Sequence, residues 1–201
     1  MKISKFKDKE GWLDARRGKI TGTRVKDILV KRGTGEKIGF YEIIAERLAT
    51  TPENENPMER GINLEGEAID LFSQKYGLKV DTSLVIWERD DNSSIAISPD
   101  GFIGDDEAVE VKCLSSARHI EAKLTGEYPK DYREQVLQYF VVNDSLKKLY
   151  FVMYDPRMPE DLQLLVFQID RDSIKEDIEE MLEYQKEKLA RIEEIINELT
   201  F

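Results

Sequence analysis

One cysteine and one histidine are all that 201 residues offer in thiolate or imidazole ligands. A lone Cys113 excludes an internal disulfide and any iron–sulfur or cysteine-rich metal centre built from a single chain, and makes a reducing cytoplasm the expected compartment. Cys113 itself reads as a small buried strand residue. A lone His119 excludes a histidine-based metal site and, beside Arg118, is expected at the surface. No run approaches the eighteen or so uncharged apolar residues of a membrane span, so no membrane partner is expected. The basic opening "MKISKFKDKEGW" has no apolar segment behind it and is not expected to be a signal peptide. The phosphate loop G-x-x-x-x-G-K-[ST] is missing, so the chain carries no nucleotide-driven motor of its own. Repeats, low-complexity tracts and internal linkers are missing as well.

What is there suits one ordinary domain spanning 1–201, with 40% hydrophobic and 35% charged residues. The formal net charge of −11 argues at first against nucleic acid as a partner. Its distribution argues the other way. Residues 1–35 carry eleven Lys/Arg against four Asp/Glu, whereas residues 155–201 carry fourteen acids against six bases. That asymmetry implies either one basic face on an otherwise repelling body or no more than solvated patches.

"GWLDARRGKITGT" predicts a short helix broken at Gly18, with Trp12 anchoring it in the core. Thr21 or Thr23 can cap a second helix that ends at Gly33. "KIGFYEIIAERLAT" sets Phe40, Ile43, Ile44 and Leu48 at helical spacing. "MERGINLEGEAIDLFSQKYG" predicts a long helix with Ile62, Ile69, Phe72 and Tyr76 on one side. The period then changes to two: "SLVIWE" (83–88), "SIAIS" (94–98) and "AVEVKC" (108–113) predict a three-strand meander. "DYREQVLQYFVV" is helical again, "KLYFVMY" and "LQLLVFQI" are strands, and an acidic helix runs from about Asp172 to the end. The last helix packs on the sheet or protrudes as an oligomer contact. The order implies one mixed sheet flanked by helices, an α/β or α+β architecture.

Chemistry concentrates in "SPDGFIGDDEAVEVKC". Asp100 follows one strand and Glu110 lies in the next, so a hairpin can bring them together. Lys112 shares Glu110's strand face, with Val111 on the other. A carboxylate and an ammonium on one strand face can be a neutralised surface pair. They can equally belong to a metal-dependent hydrolytic site with Asp100 as the third member. Hard divalent cations take oxygen ligands and keep several waters, so two or three converging carboxylates suffice, and the Val111 carbonyl is a natural extra ligand. A nearby lysine can orient the attacking water or stabilise developing charge. Further along, Gln135 and Tyr139 stand at i and i+4 on one helix face. Glu65 and Glu67 offer more carboxylates on the long helix. Arg16, Arg17, Lys19, Thr21 and Thr23 form a group suited to phosphate.

In this order, "WLDARRGKITGT", "GINLEGEAIDLF", "SPDG", "EVKC" with Arg118 downstream, and "QVLQY" resemble the lambda-type phage exonuclease family, the YqaJ-like viral recombinases. These are restriction-endonuclease-like nucleases with a Pro-Asp…(Asp/Glu)-x-Lys core, and the resemblance covers about residues 12–140. It implies a mixed central sheet flanked by helices and a magnesium-dependent 5′→3′ exonuclease on linear duplex DNA, with manganese able to substitute. It further implies a homo-oligomer in the form of a trimeric ring, and a phage single-strand annealing protein as partner in recombination. Asp100 and Glu110 become metal ligands with the Val111 carbonyl, Lys112 positions or activates the water, and Glu65 stands near the second metal or the water. Gln135 and Tyr139 flank the site. Arg16, Thr23, Ser98 and Arg118 map to a pocket for the 5′-phosphate, with Thr23 where serine is commoner. Glu67 and the Asp105–Asp106–Glu107 turn read as solvated.

Two other function classes compete. A site-specific endonuclease or RecB-like repair nuclease would share the core; the four-cysteine cluster of iron–sulfur members is missing here. A DNA-end binder without activity would need a depleted site, and every expected carboxylate and the lysine are present.

Overall fold

Strands form where apolar residues alternate, and helices where they recur every third or fourth position. The computed structural model describes residues 7–21, 24–30, 34–51 and 56–200. Its elements divide into two compact units, Met1–Asn63 with Cys113–Glu127 and Met153–Leu165, and Leu64–Lys112 with Tyr128–Val152 and Val166–Phe201.

The first unit holds α1 (Lys9–Asp14), α2 (Val25–Ile28), α3 (Ile38–Leu48) and the opening of α4 (Pro57–Tyr76), with α5 (Ser116–Thr125) returning later in the chain. Tyr41 and Ala45, four residues apart on α3, pack with Ala117 and Ile120 of α5 and with Met158. Expected core positions Phe40 and Leu48 are instead 37% and 38% exposed, because the buried stripe runs through Tyr41, Ile43 and Ala45. Gly18 has φ +64°, and a Cβ there would lie 2.7 Å from Arg47 Cγ. The close approach lets Arg47 Nε donate to the Gly18 carbonyl at 2.7 Å and the Gly18 N–H donate to Glu46 at 2.5 Å, tying the turn after α1 to α3. α2 stops at Ile28, short of the expected Gly33, and Thr23 and Gly33 lie outside the described residues.

Two side chains reverse their expected placement. Trp12 is 42% exposed, with the Arg16 guanidinium 4.3 Å from its ring centroid, so it carries a cation and not a core. His119 is 1% exposed: it shares the inward face of α5 with Ser116, and its Nε2 lies 2.7 Å from the Leu162 carbonyl. Burial lowers its pKa, which keeps it neutral. Nearby, burial alone would raise the Asp155 carboxyl, but Arg157 at 2.7 Å and the Ser116 hydroxyl at 2.6 Å hold it below the usual range.

The second unit begins with the remainder of α4, whose Ile69 and Phe72 are buried while Ile62, on its first-unit portion, and Tyr76 stay exposed. β1 (Trp87–Arg89) and β2 (Asn92–Ile97) pair antiparallel as a separate two-stranded sheet. Residues 83–86 form no strand, and Leu84 and Ile86 are exposed, which shortens the expected "SLVIWE" strand and splits the expected meander. β3 (Gly101–Ile103), β4 (Glu107–Lys112), β5 (Lys148–Tyr154) and β6 (Leu164–Asp170) follow in that order across a mixed sheet. Leu149, Phe151, Val152 and Met153 of β5 are fully buried, which is why this strand reads as an unbroken apolar run.

α6 (Arg133–Val142) packs against α7 (Lys175–Thr200). Gln185 donates to Gln138 at 2.5 Å, and Ile178 is buried, but every residue from Arg191 to Thr200 is exposed. The end of α6 is held by Arg171, whose guanidinium donates to the carbonyls of Leu146, Phe140 and Asn143 at 2.6–2.7 Å. Those carbonyls have no intrahelical donors, so Arg171→Ala is expected to cost roughly 1.5–3 kcal/mol. Urea unfolding at constant slope checks it.

Candidate active site

The β3–β4 hairpin builds the site. Its antiparallel register pairs Gly101 with Val109, Phe102 with Ala108 and Ile103 with Glu107. One step further, that register sets Asp100 opposite Glu110. Asp100 Oδ2 accepts the Val111 N–H at 2.7 Å, which fixes the carboxylate across the hairpin mouth. Gly101 is required here by close approach: a Cβ would lie 2.5 Å from Val80 Cγ1. The bare backbone lets Asp81 and Phe102 exchange two hydrogen bonds of 2.8 and 3.0 Å.

Glu110 is 1% exposed yet carries a full set of donors. Gln135 Nε2 donates to Oε1 at 2.6 Å and the Tyr139 hydroxyl to Oε2 at 2.5 Å, so the i, i+4 pair on α6 grips both oxygens. The Lys112 ammonium pairs with Oε1 as well. Tyr139 is fully buried with its ring edge-on to Trp87 at 6.4 Å, and burial followed by the Glu110 charge raises its pKa, so it stays a donor. Lys112 sits 5.1 Å from the Tyr132 ring centroid.

Asp100 has the other electrostatic signature of the site. Burial first, then the Glu110 charge, pushes its pKa up to about 7; Glu65 adds to the rise, while the Val111 N–H and Lys112 oppose it. Glu65, half-buried on α4, is thus electrically part of the cluster, whereas Glu67 is exposed as expected. Asp105 is exposed, but Asp106 pairs with Lys147 at 2.9 Å and Glu107 accepts from Tyr150 at 3.2 Å, so that turn is less solvated than expected.

The structure therefore brings Asp100, Glu110, Val111, Lys112, Gln135 and Tyr139 into direct contact and Glu65 into their field. The donor set is all hard oxygen, and the burial and neighbouring Glu110 charge that raise Asp100 are what a divalent cation would offset; on both counts the residues fit such an ion. Among the described residues no three acidic, histidine or cysteine side chains lie close enough together to hold an ion by themselves, so the Val111 carbonyl and waters would have to complete its shell. Of the expected phosphate-pocket residues, Arg16 and Arg118 belong to the first unit, Ser98 is an exposed residue of the second, and Thr23 lies outside the described residues. Arg17, not Arg16, lines a cleft of about 390 Å³ in the first unit, together with Thr51 and the α5 capping residue Ser115. Tyr132 was not legible as a site residue: it precedes α6 by one position and meets Lys112 only through folding.

Residues 11–145 match the YqaJ-like viral recombinase domain. The chain belongs to this family. An alkaline exonuclease (LHK-Exo) from Laribacter hongkongensis is 30% identical, with 94% of this chain and 97% of that one covered and a TM-score of 0.62. LHK-Exo in complex with dAMP is 31% identical over the same shares, with a TM-score of 0.61. A comparison with curated proteins finds no match. The family relation makes this YqaJ-like chain an exonuclease of the Pro-Asp…(Asp/Glu)-x-Lys fold. No helix among its described residues is long and apolar enough to cross a membrane.

Proposed function

We propose that this YqaJ-like protein is a magnesium-dependent, ATP-independent exonuclease that degrades linear duplex DNA from 5′ ends, with residues 1–201 acting as one nuclease domain. The observation that carries the reading is the buried Glu110 carboxylate, gripped by Gln135, Tyr139 and Lys112 and facing an Asp100 whose pKa reaches about 7. Asp100, Glu110 and the Val111 carbonyl, with Glu65 beside them, would hold Mg²⁺ (or Mn²⁺), which when bound supplies Lewis-acid polarisation of the phosphodiester and an activated water. Gln135 and Tyr139 fix the angle of the Glu110 carboxylate. Lys112 orients the attacking water and offsets charge on the phosphorane-like transition state. Arg16, Thr23, Ser98 and Arg118 select a 5′-phosphate, because guanidinium and hydroxyl donors read the extra terminal charge. The basic N-terminal segment faces DNA. The protein works as a ring-shaped homotrimer in the cytoplasm of a bacterial host, handing single strands to an annealing protein.

Linear duplex labelled at either end, incubated with magnesium, tests this directly. Mononucleotides from the 5′ label and intact closed circles are expected. Nicked circles would favour a site-specific or repair endonuclease, and bound but undegraded ends a non-catalytic end binder. In the same assay Arg118→Ala is expected to narrow the preference for 5′-phosphate over 5′-hydroxyl ends about tenfold, in keeping with one charge-assisted contact. An unchanged ratio would remove Arg118 from the pocket.

A further inference from the structure

Lys112 pairs with the Glu110 carboxylate, and it has a second partner of a different kind. That partner is the Tyr132 ring, 5.1 Å from the ammonium. Tyr132 closes the short turn Lys130–Tyr132 immediately before α6, so it is set by the same helix that delivers Gln135 and Tyr139. Its ring packs against Phe151 of β5, which is fully buried, with centroids 5.6 Å apart and planes tilted by 47°. An aromatic ring held by packing is a preorganised seat for a cation, since the ring quadrupole attracts the charge without a counter-ion.

We propose that the face of Tyr132 is the positioning element that keeps the Lys112 ammonium in its working place. The inference rests on the reading of Lys112 as the residue that orients the attacking water. The two partners differ in what they can offer during the reaction. Glu110, as a proposed metal ligand, shares its charge between Lys112 and a cation. Tyr132 has no net charge to divide between ions, so its hold on Lys112 does not depend on what Glu110 binds. It leaves the ammonium protons free for water, whereas a second carboxylate would consume them. The ring acts through Lys112 and touches no reacting atom. Its hydroxyl has no part in this, so phenylalanine should serve as well as tyrosine.

A fluorination series at position 132 separates this from simple packing, because each added fluorine weakens the ring quadrupole while barely changing its volume. Tyr132→Phe is expected to keep kcat within about twofold, and mono-, di- and trifluorophenylalanine to lower log kcat stepwise at constant KM for DNA. Tyr132→Leu should fall about tenfold, the loss expected for one partly buried cation–π contact. A second readout is the rate of acylation of Lys112, followed by peptide mass spectrometry with and without magnesium. It should rise along the same series. A flat series in both readouts, with Lys112→Ala inactive, overturns the role of Tyr132 and leaves the nuclease reading in place. Near-normal hydrolysis by Lys112→Ala overturns that reading and the inference with it.

Discussion

Lys112→Ala is expected to lose hydrolysis of linear duplex by roughly a thousandfold, the size of effect seen when a preorganised charge donor is removed. DNA binding and the far-ultraviolet dichroism should not change. The reason lies in the partition of contacts. Lys112 is on the partly exposed end of β4, its side chain 22% accessible, so the core does not depend on it. Glu110 retains its bonds from Gln135 and Tyr139 when the lysine is gone, so the carboxylate is not orphaned. Glu110→Ala differs in kind. It should be equally inactive, but it also strips the hydroxyl of the fully buried Tyr139 of its acceptor, a cost of about 1–3 kcal/mol. Single-turnover rates with enzyme in excess over DNA ends, set beside urea unfolding of both variants, check the two halves of this expectation. Near-normal rates for Lys112→Ala would remove it from the chemistry.

Asp100→Asn should move activity and stability in opposite directions. In the metal-free protein the Asp100 carboxyl has its pKa pushed up to about 7, from an ordinary 3.8. A raised folded-state pKa means that the folded state binds a proton the unfolded state releases. The associated stability is fully present below pH 3.8 and is lost as pH rises through 7. Asparagine keeps an acceptor for the Val111 N–H and never ionises, so the variant avoids that loss. Its melting temperature should exceed that of the parent by several degrees at pH 8, roughly 2–4 °C per kcal/mol for a chain of this size, and the gap should close towards pH 4. Activity should fall at least a hundredfold, because a proposed metal ligand and its charge are gone. In the parent protein divalent affinity should rise between pH 6 and pH 8 as Asp100 ionises, a dependence the variant lacks; titration calorimetry in chelator-treated buffer measures it. A melting temperature equal to the parent's at pH 8 would mean that burial and the Glu110 charge do not raise Asp100 as described.

Much of the site was written in local pattern. The alternation through "AVEVKC" sets Glu110 and Lys112 on one face of β4, and the spacing in "EQVLQY" sets Gln135 and Tyr139 on one face of α6. These follow from strand and helix geometry without knowledge of neighbours. The helix α3, the strand β5 and the long α7 were legible for the same reason. Misreadings share a cause. "SLVIWE" has strand composition, but residues 83–86 have no strand beside them, and a strand without a partner does not form. His119 looked exposed because its sequence neighbour Arg118 is charged, yet one step along a helix turns a side chain by about 100°.

By itself the sequence determined which faces carry carboxylates, the lysine and the Gln–Tyr pair, because strand and helix periods are properties of the backbone. It also determined the family, through motifs kept in fixed order. Only the tertiary structure decided that Glu110 is buried with every oxygen engaged, that Asp100 stands across the hairpin from it, and that Tyr132 lies under Lys112. Those are contacts between segments from ten to about thirty residues apart. Desolvation and mutual charge, which set the chemistry of carboxylates, exist only once packing has excluded the water between them.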